Sequence, residues 1–336
     1  MKSLCLMLAC VLVTAEARGQ GTDSATGRGP APSAGVAAPA RDTAPVFRSG
    51  IDLVALNVVV TDPKQKFVNG LLLDDFSVFE DGVLQDVAFF AASNVPLDLA
   101  ILIDTSASMA DKMPVVRQAA TGFLDTLRQG DRVMVVDIKD VTRILQPLGS
   151  DVAGANTAIQ EARASGGTSL YNALYMTLKE LAKGRGAGRE VRRQAIVVLS
   201  DGIDTSSVVS FDDVMDVAKQ SGIATYTITL RSPATAAFAS SIASRVFDEA
   251  EFAMKSLAQE TGARSFFPTD IHQLKEVYGS IATELANQYA IAYTPKNVKT
   301  DGIFRRIMVR VADRPDVRTR TRSGYTPPRS RTGVLE

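Results

Sequence analysis

The sequence contains two cysteines, one histidine and no tryptophan among its 336 residues. So few cysteine and histidine side chains exclude a structural zinc site, which takes about four such ligands. A global attraction to nucleic acid is also excluded, because 37 basic side chains balance 37 acidic ones. Wholesale disorder is excluded as well, since 46% of the residues are hydrophobic and can form a sizeable core.

The amino-terminal segment has the features of a secretory signal peptide. Lys2 gives a positive start, residues 4–13 are almost purely apolar, and Ala15-Glu16-Ala17 is an A-x-A cleavage pattern. We expect removal of residues 1–17 and export to the periplasm, the cell surface or the medium. The apolar run is about half of the roughly 20 residues that a membrane-spanning helix needs, so the mature chain is expected to have no transmembrane helix.

Both cysteines, Cys5 and Cys10, lie inside this segment, so the mature chain is expected to fold without disulfides. An alternative remains open at this point. Residues 7–10 (MLAC) loosely match a lipoprotein signal, in which Cys10 carries a lipid anchor. Export is expected in either case.

The composition divides the rest of the chain. Residues 18–45 contain mostly Gly, Ala, Pro, Ser and Thr, which cannot bury enough surface to offset the entropy of ordering, and they predict a disordered linker. Short strand patterns occupy an amino-terminal β segment, residues 46–95, which includes a turn signal at Asp81-Gly82. Similar patterns form a carboxy-terminal β segment, residues 289–328, before a tail of residues 329–336.

The two β segments carry opposite charges. Residues 74–86 hold five acids and no base, whereas residues 304–331 hold nine arginines and two aspartates. We predict that the two segments pair into one β-sandwich, with the intervening residues inserted between them. Arg318, Arg320 and Arg322 are expected to share one face of a strand, because side chains alternate between faces, and this face is either solvated or a polyanion site.

Residues 96–288 alternate strand patterns with helical patterns. Nearly continuous apolar runs, such as residues 97–104 (LDLAILID) and 195–200 (AIVVLS), indicate strands buried on both faces of a parallel sheet. The predicted fold is therefore α/β, a doubly wound and mostly parallel sheet with a small flanking β module built from the amino- and carboxy-terminal strands. Such folds bind ligands at the carboxyl ends of the strands. Residues 231–246, rich in small side chains, predict a loop or short helix near that edge.

Three motifs fall at this edge of the predicted sheet. Asp104, Ser106 and Ser108 lie in ILIDTSASM, Thr168 lies in SGGTSL, and Asp201 lies in VVLSDG. One carboxylate and two hydroxyls at alternate positions of a loop form a hard oxygen set that suits Mg²⁺ or Mn²⁺. The first motif alone is weak evidence, because Asp and Ser also cap helices.

Together, the three motifs resemble the von Willebrand factor type A (VWFA) domain and its metal-ion-dependent adhesion site. With the flanking stretches VFRSGIDLVALNVVVTD, DDFSVFEDG and YAIAYTPKN, the chain also resembles a secreted VWFA-related family described from Acidobacteria. The resemblance implies a Rossmann-like von Willebrand type A domain over residues 96–288, with Mg²⁺ or Mn²⁺ as its cofactor.

The same resemblance implies a role for each site residue. Ser106 and Ser108 bind the metal directly, Thr168 binds it in the ligand-competent state, and Asp104 and Asp201 bind directly or through water. A protein partner presenting Asp or Glu completes the coordination. No nucleic acid is implied as a partner.

Other polar residues near the motifs have two interpretations each. Asp204 and Thr205 either support the metal site or cap a helix that begins near Phe211, and we favour the cap. Asp137 and Asp140 either extend an acidic rim or are solvated turn carboxylates, which is the commoner case.

Catalysis is not expected, because no acid, base and nucleophile come together in the sequence. Ser106 stands where a dehalogenase-type phosphatase needs a carboxylate as general acid, and His272 lies on a predicted helix in solvent. We therefore predict an exported, adhesion-type binding module. The alternative is a structural or assembly component of the cell envelope that binds through the β module and its basic strand face, with the metal site secondary.

Overall fold

The computed structural model describes residues 53–92, 95–184, 191–201, 203–230 and 242–328. The predicted signal peptide (1–17), the linker (18–45) and the tail (329–336) lie outside these ranges, and so do residues 231–241. Within the described ranges, every helix is too short or too polar to cross a lipid bilayer.

The strands, in chain order, are β1 Val54–Thr61, β2 Phe76–Glu80, β3 Val83–Gln85, β4 Val87–Ala91, β5 Leu97–Asp104, β6 Arg132–Ile138, β7 Arg143–Gly149, β8 Arg193–Ser200, β9 Ala224–Thr229, β10 Ser265–Phe266, β11 Tyr289–Tyr293, β12 Arg305–Val311, β13 Arg318–Arg320 and β14 Gly324–Tyr325. The α-helices are α1 Met113–Leu124, α2 Val152–Glu161, α3 Leu170–Lys183, α4 Phe211–Ser221, α5 Ile242–Glu260 and α6 Leu274–Ala286. Short 3₁₀-helices cover Leu73–Asp75, Ala107–Lys112 and Ile271–Gln273.

A six-stranded sheet forms the centre, in the order β10-β9-β8-β5-β6-β7. All its neighbours pair in parallel except β7, which is antiparallel to β6. Helices α1, α2 and α6 pack their apolar sides on one face of the sheet, and α3, α4 and α5 pack on the other. Strands covered on both faces must be apolar throughout, which explains the continuous runs in the sequence. The prediction of a doubly wound, mostly parallel α/β fold is confirmed.

Two four-stranded antiparallel sheets form the flanking β module, in the orders β13-β1-β11-β4 and β14-β12-β2-β3. Strand β1 pairs with β11 and β13, and β2 pairs with β12, so each sheet joins strands from both ends of the chain. The inner faces of the two sheets share one apolar core. The predicted pairing of the amino- and carboxy-terminal strands is therefore confirmed, and the two sheets pack as a β-sandwich.

A turn at Asp81 and Gly82 joins β2 to β3, as the sequence predicts. Both residues have a positive φ, 47° for Asp81 and 83° for Gly82. This conformation matches the twist of the flanking strands and is the reason for the Asp-Gly preference. Strand β4, in contrast, has no counterpart in the predicted elements.

The opposite charges of the two β segments meet inside the sandwich at one buried ion pair. Glu80 lies 3.4 Å from the guanidinium of Arg305, and both side chains are almost fully buried. The hydroxyls of Tyr293 and Tyr325 also donate to Glu80, over 2.8 and 3.1 Å. Burial, together with the Glu80 charge, raises the pKa of Tyr325 to about 12. Glu80 is therefore fully hydrogen-bonded despite its burial, as a buried charge must be.

A second buried acid connects the sandwich to the central sheet. Glu284 of α6 lies 2.6 Å from the guanidinium of Arg320 on β13, and it accepts a 2.7 Å hydrogen bond from the Tyr226 hydroxyl. Burial and the Glu284 charge raise the pKa of Tyr226 well above its ordinary value. Because α6 carries the chain back to the amino ends of the parallel strands, the sandwich is attached at that edge of the sheet.

Only two of the three arginines predicted to share one strand face, Arg318 and Arg320, lie in the strand. Strand β13 ends at Arg320, and only Arg318 is exposed. Arg320 is engaged by Glu284, and Arg322 is buried with its guanidinium 5.5 Å from the centre of the Tyr325 ring. The alternation stops because the chain leaves the sheet here to pack against the ends of α4 and α5. The expected basic face is thus mostly an internal contact.

Close packing of residues 320–323 depends on Gly262, which follows α5. Gly262 has a φ of 77°, and a Cβ atom there would lie 2.4 Å from the Arg322 main-chain nitrogen. The Arg320 guanidinium also donates to the Gly262 carbonyl. Only glycine satisfies both the left-handed conformation and the close approach.

We expect Gly262→Ala to lower the free energy of unfolding by about 2 kcal/mol or more, because backbone strain adds to a main-chain clash. The matched control is Gly122→Ala in α1, where an added Cβ meets nothing within 4 Å. The control should gain about 0.5–1 kcal/mol from helix propensity. Urea unfolding followed by circular dichroism measures both, and wild-type stability of Gly262→Ala would contradict this account of the contact.

Arg320→Ala should lower the free energy of unfolding by about 3 kcal/mol, since it leaves the buried Glu284 charge without its closest counter-charge. Arg318→Ala, on the same strand but exposed, should change it by less than about 0.5 kcal/mol. Equal effects of the two substitutions in thermal or urea unfolding would show that the Arg320–Glu284 pair does not connect the two parts of the protein.

Candidate metal centre

Asp104 is the last residue of the central strand β5, and its carboxylate is fully buried. The main-chain N–H of Ser106 donates to Oδ1 over 2.8 Å, and the hydroxyl of Ser200 donates to Oδ2 over 2.6 Å. Ser200 ends β8, the neighbour of β5. The parallel pairing therefore holds both oxygens of the Asp104 carboxylate at the carboxyl edge of the sheet.

The two serines of the first motif connect Asp104 to Asp201. The Ser106 and Ser108 hydroxyl oxygens are 3.0 Å apart, and the Ser108 hydroxyl donates to Asp201 Oδ2 over 2.7 Å. Ser106 is buried, whereas Ser108 is exposed. Four of the five predicted site residues thus lie in one hydrogen-bonded chain that reaches the surface.

Thr168, the fifth residue, lies in a loop joined to the first motif through the main chain. The Ala107 N–H donates to Gly166 O over 3.0 Å, and the Ser165 N–H donates to Thr105 O over 2.8 Å. Within the described residues, the Thr168 hydroxyl forms no hydrogen bond to the other four site residues. The structure therefore places the Thr168 loop directly against the first motif but does not bring its hydroxyl into the hydrogen-bonded chain.

The glycines before Thr168 pack against Asp140. The N–H of Gly167 donates to Asp140 Oδ1 over 2.7 Å, and a Cβ atom on Gly166, whose φ is 72°, would lie 2.0 Å from Asp140 Oδ2. Asp140 thus binds the glycine loop while its side chain remains exposed. Asp137 is buried, accepts from the Thr105 hydroxyl and pairs with Lys139 at 3.1 Å. Asp137 therefore does not extend an acidic rim.

Asp204 and Thr205 do not cap α4, so the favoured prediction was wrong. The cap is Ser210, whose hydroxyl accepts from the Asp213 N–H in a capping box. Thr205 instead accepts from the Thr168 N–H over 2.9 Å, and its own N–H donates to Thr168 O over 2.9 Å. Asp204 accepts from the Tyr171 N–H at the start of α3. Both residues hold the Thr168 loop, a role that local sequence cannot reveal because the partners are distant in the chain.

The electrostatics of the site favour a cation. The pKa of Asp104 is raised above its ordinary value, mainly by burial and further by the Asp201 charge, although hydrogen bonds from Ser106 and Ser200 oppose the rise. Two carboxylates and several hydroxyls therefore face one another, all of them oxygen ligands of the kind that Mg²⁺ prefers. Among the described residues, no group of three or more His, Cys, Asp or Glu side chains surrounds a common point. A cation at this place would therefore need the serine and threonine hydroxyls as ligands in addition to the two carboxylates. The donor set fits Mg²⁺ or Mn²⁺ and does not fit zinc.

The histidine of the chain lies apart from these oxygens. His272 is in a 3₁₀-helix and is exposed, as the sequence predicts for its position. That helix precedes α6 and packs with α1. His272 is therefore not part of this set of oxygen ligands.

Comparison with known proteins identifies related chains. The family model of the von Willebrand factor type A domain matches residues 98–279, more than half of the chain. A protein of uncharacterised function from Synechocystis sp. is 33% identical over 112 residues, which are 32% of this chain and 26% of that protein. The chain thus spans about a quarter of the length of this curated relative.

Several solved structures are also similar. A von Willebrand factor type A protein from Catenulispora acidiphila has 13% identity and a TM-score of 0.47, over 84% of this chain and 76% of that chain. The vWF domain of the type V pili tip protein Mfa5 from Porphyromonas gingivalis has 16% identity and a TM-score of 0.45, over 58% and 96%. Proximal thread matrix protein 1 from the mussel byssus has 12% identity and a TM-score of 0.46, over 58% of this chain and 49% of that chain.

The family model spans the central sheet from the second residue of β5 onward, the helices on its faces as far as the first half of α6, and all five residues of the candidate metal centre. Proteins of this family act mainly as interaction modules rather than as enzymes. The chain belongs to the von Willebrand factor type A domain family.

Proposed function

We propose that this protein binds Mg²⁺ or Mn²⁺ through Asp104, Ser106, Ser108, Thr168 and Asp201, and that the bound cation holds an acidic side chain of a partner protein. The observation that carries the proposal is the hydrogen-bonded chain from Asp104 through Ser106 and Ser108 to Asp201. The bound cation supplies an electrophilic coordination position for a carboxylate oxygen of the partner.

The donor set supports this function because most of its ligands are neutral. Three hydroxyls and two carboxylates neutralise a divalent cation less than a cage of carboxylates does, so an additional anionic ligand still binds favourably. The partner's carboxylate is such a ligand. Other residues of the protein orient these ligands through hydrogen bonds: Ser200 holds Asp104, and Thr205 holds the Thr168 loop.

Apolar side chains near the site give the partner further contact area. Val141 is 64% exposed and follows Asp140, which binds the glycine loop. Val208 is 94% exposed and follows Ser207, whose hydroxyl binds Asp204. Both valines therefore belong to loops at the metal edge of the sheet. We include them in the proposed binding surface as its apolar rim.

The location of the β-sandwich leaves this surface accessible. The sandwich contacts Glu284, near the end of α6, and Gly262, just after α5, both at the amino edge of the sheet, whereas Asp104 and Asp201 lie at the carboxyl edge. Export, by a signal peptide of residues 1–17 or with a lipid on Cys10, is part of the proposal.

Binding through a basic strand face is the weaker function for this chain. Two of the three arginines on which it depends, Arg320 and Arg322, pack against the chain's own residues. Arg318 alone is exposed. A cell-envelope component that binds mainly through this face is therefore not our proposal, and the protein is proposed to act as a non-enzymatic binding module.

Isothermal titration of the mature chain with Mg²⁺ and with Mn²⁺ should show one binding site. The double variant Ser106→Ala, Ser108→Ala should abolish it, because both hydroxyl ligands are lost. Ser150→Ala, an exposed serine directly after β7, is the control and should bind like the wild type. Absence of binding in the wild type, with either metal, contradicts the proposed function.

Ser200→Ala should weaken Mn²⁺ binding by about tenfold or more, although Ser200 is not itself proposed as a ligand. Its hydroxyl orients Asp104, and loss of such a supporting hydrogen bond has effects of about this size at metal sites. The measurement is the Mn²⁺ dissociation constant from titration, with the unfolding midpoint as a check of folding. A folded variant with unchanged affinity would show that Asp104 needs no orientation by Ser200.

A further inference from the structure

Most charged side chains at the carboxyl edge of the sheet are already engaged within the protein. Asp137 pairs with Lys139, Asp140 binds the Gly167 N–H, and Asp204 binds the Tyr171 N–H and the Ser207 hydroxyl. These groups hold loops, and each would have to leave its internal partner to bind another protein. They are therefore poor candidates for recognising a ligand.

Lys112 differs from all of these groups. It ends the 3₁₀-helix Ala107–Lys112, which starts directly after Ser106 and contains Ser108. Its Nζ donates to the Ser108 main-chain oxygen over 3.3 Å and lies 3.9 Å from Met109 Sδ. Within the described part of the chain, no carboxylate lies within 4.0 Å of this ammonium group, and the neighbouring Asp111 is exposed.

The hydrogen bond to Ser108 positions the ammonium group beside the proposed cation site. An ammonium group has three N–H donors, and the contact with Ser108 O uses one of them. The side chain is only partly exposed, so its position is restricted more than that of a lysine fully in solvent. A second positive charge next to a bound cation does not help metal binding, since like charges repel, but it does favour a doubly acidic ligand.

We propose that Lys112 binds a second acidic group of the partner, so that the site recognises a segment with two carboxylates. One carboxylate binds the cation, and the other accepts a hydrogen bond from Lys112 Nζ. The proposal rests on the proposed metal-dependent function and adds the chemistry of the partner to it. Lys112 is then a specificity-determining residue, and partners with a single acidic side chain bind more weakly.

A purely structural role makes a different prediction. If Lys112 only stabilises its 3₁₀-helix through the Ser108 carbonyl, removal of its ammonium group should disturb Ser108 and weaken metal binding itself. It should not change the relative affinity for ligands with one or two carboxylates. Separate measurements of metal binding and ligand preference therefore distinguish the two roles.

The experiment uses the mature chain loaded with Mn²⁺ and the simple acids acetate, succinate and glutarate as probes. Paramagnetic broadening of the probe proton resonances gives the apparent dissociation constants. Protein is kept in excess over Mn²⁺, and the variants are Lys112→Gln and Lys112→Arg. Lys275→Gln, an exposed lysine on α6, is the control that loses the same charge elsewhere.

We expect the wild type to prefer at least one of the two dicarboxylates over acetate by about fivefold, a size typical of a partly exposed ion pair. The Lys112→Gln variant should bind Mn²⁺ with an affinity equal to or higher than that of the wild type. Its preference for dicarboxylates over acetate should fall to the statistical advantage of a ligand with two carboxylates. Lys112→Arg and Lys275→Gln should keep the preference. Added salt should reduce it in the wild type, because the ion pair is screened.

Three outcomes would overturn the inference. A Lys112→Gln variant with the wild-type preference shows that the lysine does not bind the second carboxylate, and chelation of Mn²⁺ by the acids alone would give this result. Loss of Mn²⁺ binding in Lys112→Gln assigns the lysine a structural role. A wild type that binds no Mn²⁺ refutes the proposed function and this inference with it, which separates that failure from the other two.

Discussion

Strand β5 pairs with β6 on one side and β8 on the other, and this pairing determines where the residues of the metal centre lie. All eight residues of β5 are buried, so polar groups are excluded from its length except where hydrogen bonds satisfy them. The polar residues of the site therefore lie at the end of the strand, where Asp104 accepts a hydrogen bond from the Ser200 hydroxyl of β8. Asp201 follows directly, and so parallel pairing brings together the side chains of Asp104 and Ser200, which are 96 positions apart in the chain.

In the β-sandwich, strand pairing likewise brings together residues that are distant in the chain, here from its two ends. Neither β segment has enough strands to form a stable sheet alone, and each of the two sheets takes strands from both. The buried pairs Glu80–Arg305 and Glu284–Arg320 add little net stability over apolar contacts, but either charge left alone would be costly. They therefore act mainly by fixing which segments meet. The second pair fixes the sandwich at the amino edge, opposite the metal centre.

The parts of this architecture that could be predicted from sequence are those determined by short-range pattern. Buried strands appear as continuous apolar runs, and polar residues at their ends mark the ligand edge, so the sequence pattern alone predicts that Asp104, Ser106 and Asp201 lie close together. The roles of Asp140 and Thr205 could not be predicted, because their partners lie 27 and 37 positions away in loops without regular spacing. The strand period also misassigned Arg322, since it is informative only while the strand continues, and β13 ends at Arg320.

The hydrogen bond from Ser108 to Asp201 is compatible with metal binding by both residues. A serine hydroxyl has one proton and two lone pairs, so a hydroxyl that donates its proton to a carboxylate still has both lone pairs for a cation. The 2.7 Å contact with Asp201 uses this proton. The negative charge of Asp201 then polarises the O–H bond and increases the electron density on the serine oxygen. In this arrangement Asp201 would strengthen Ser108 as a neutral ligand, whether Asp201 itself binds the cation directly or through water.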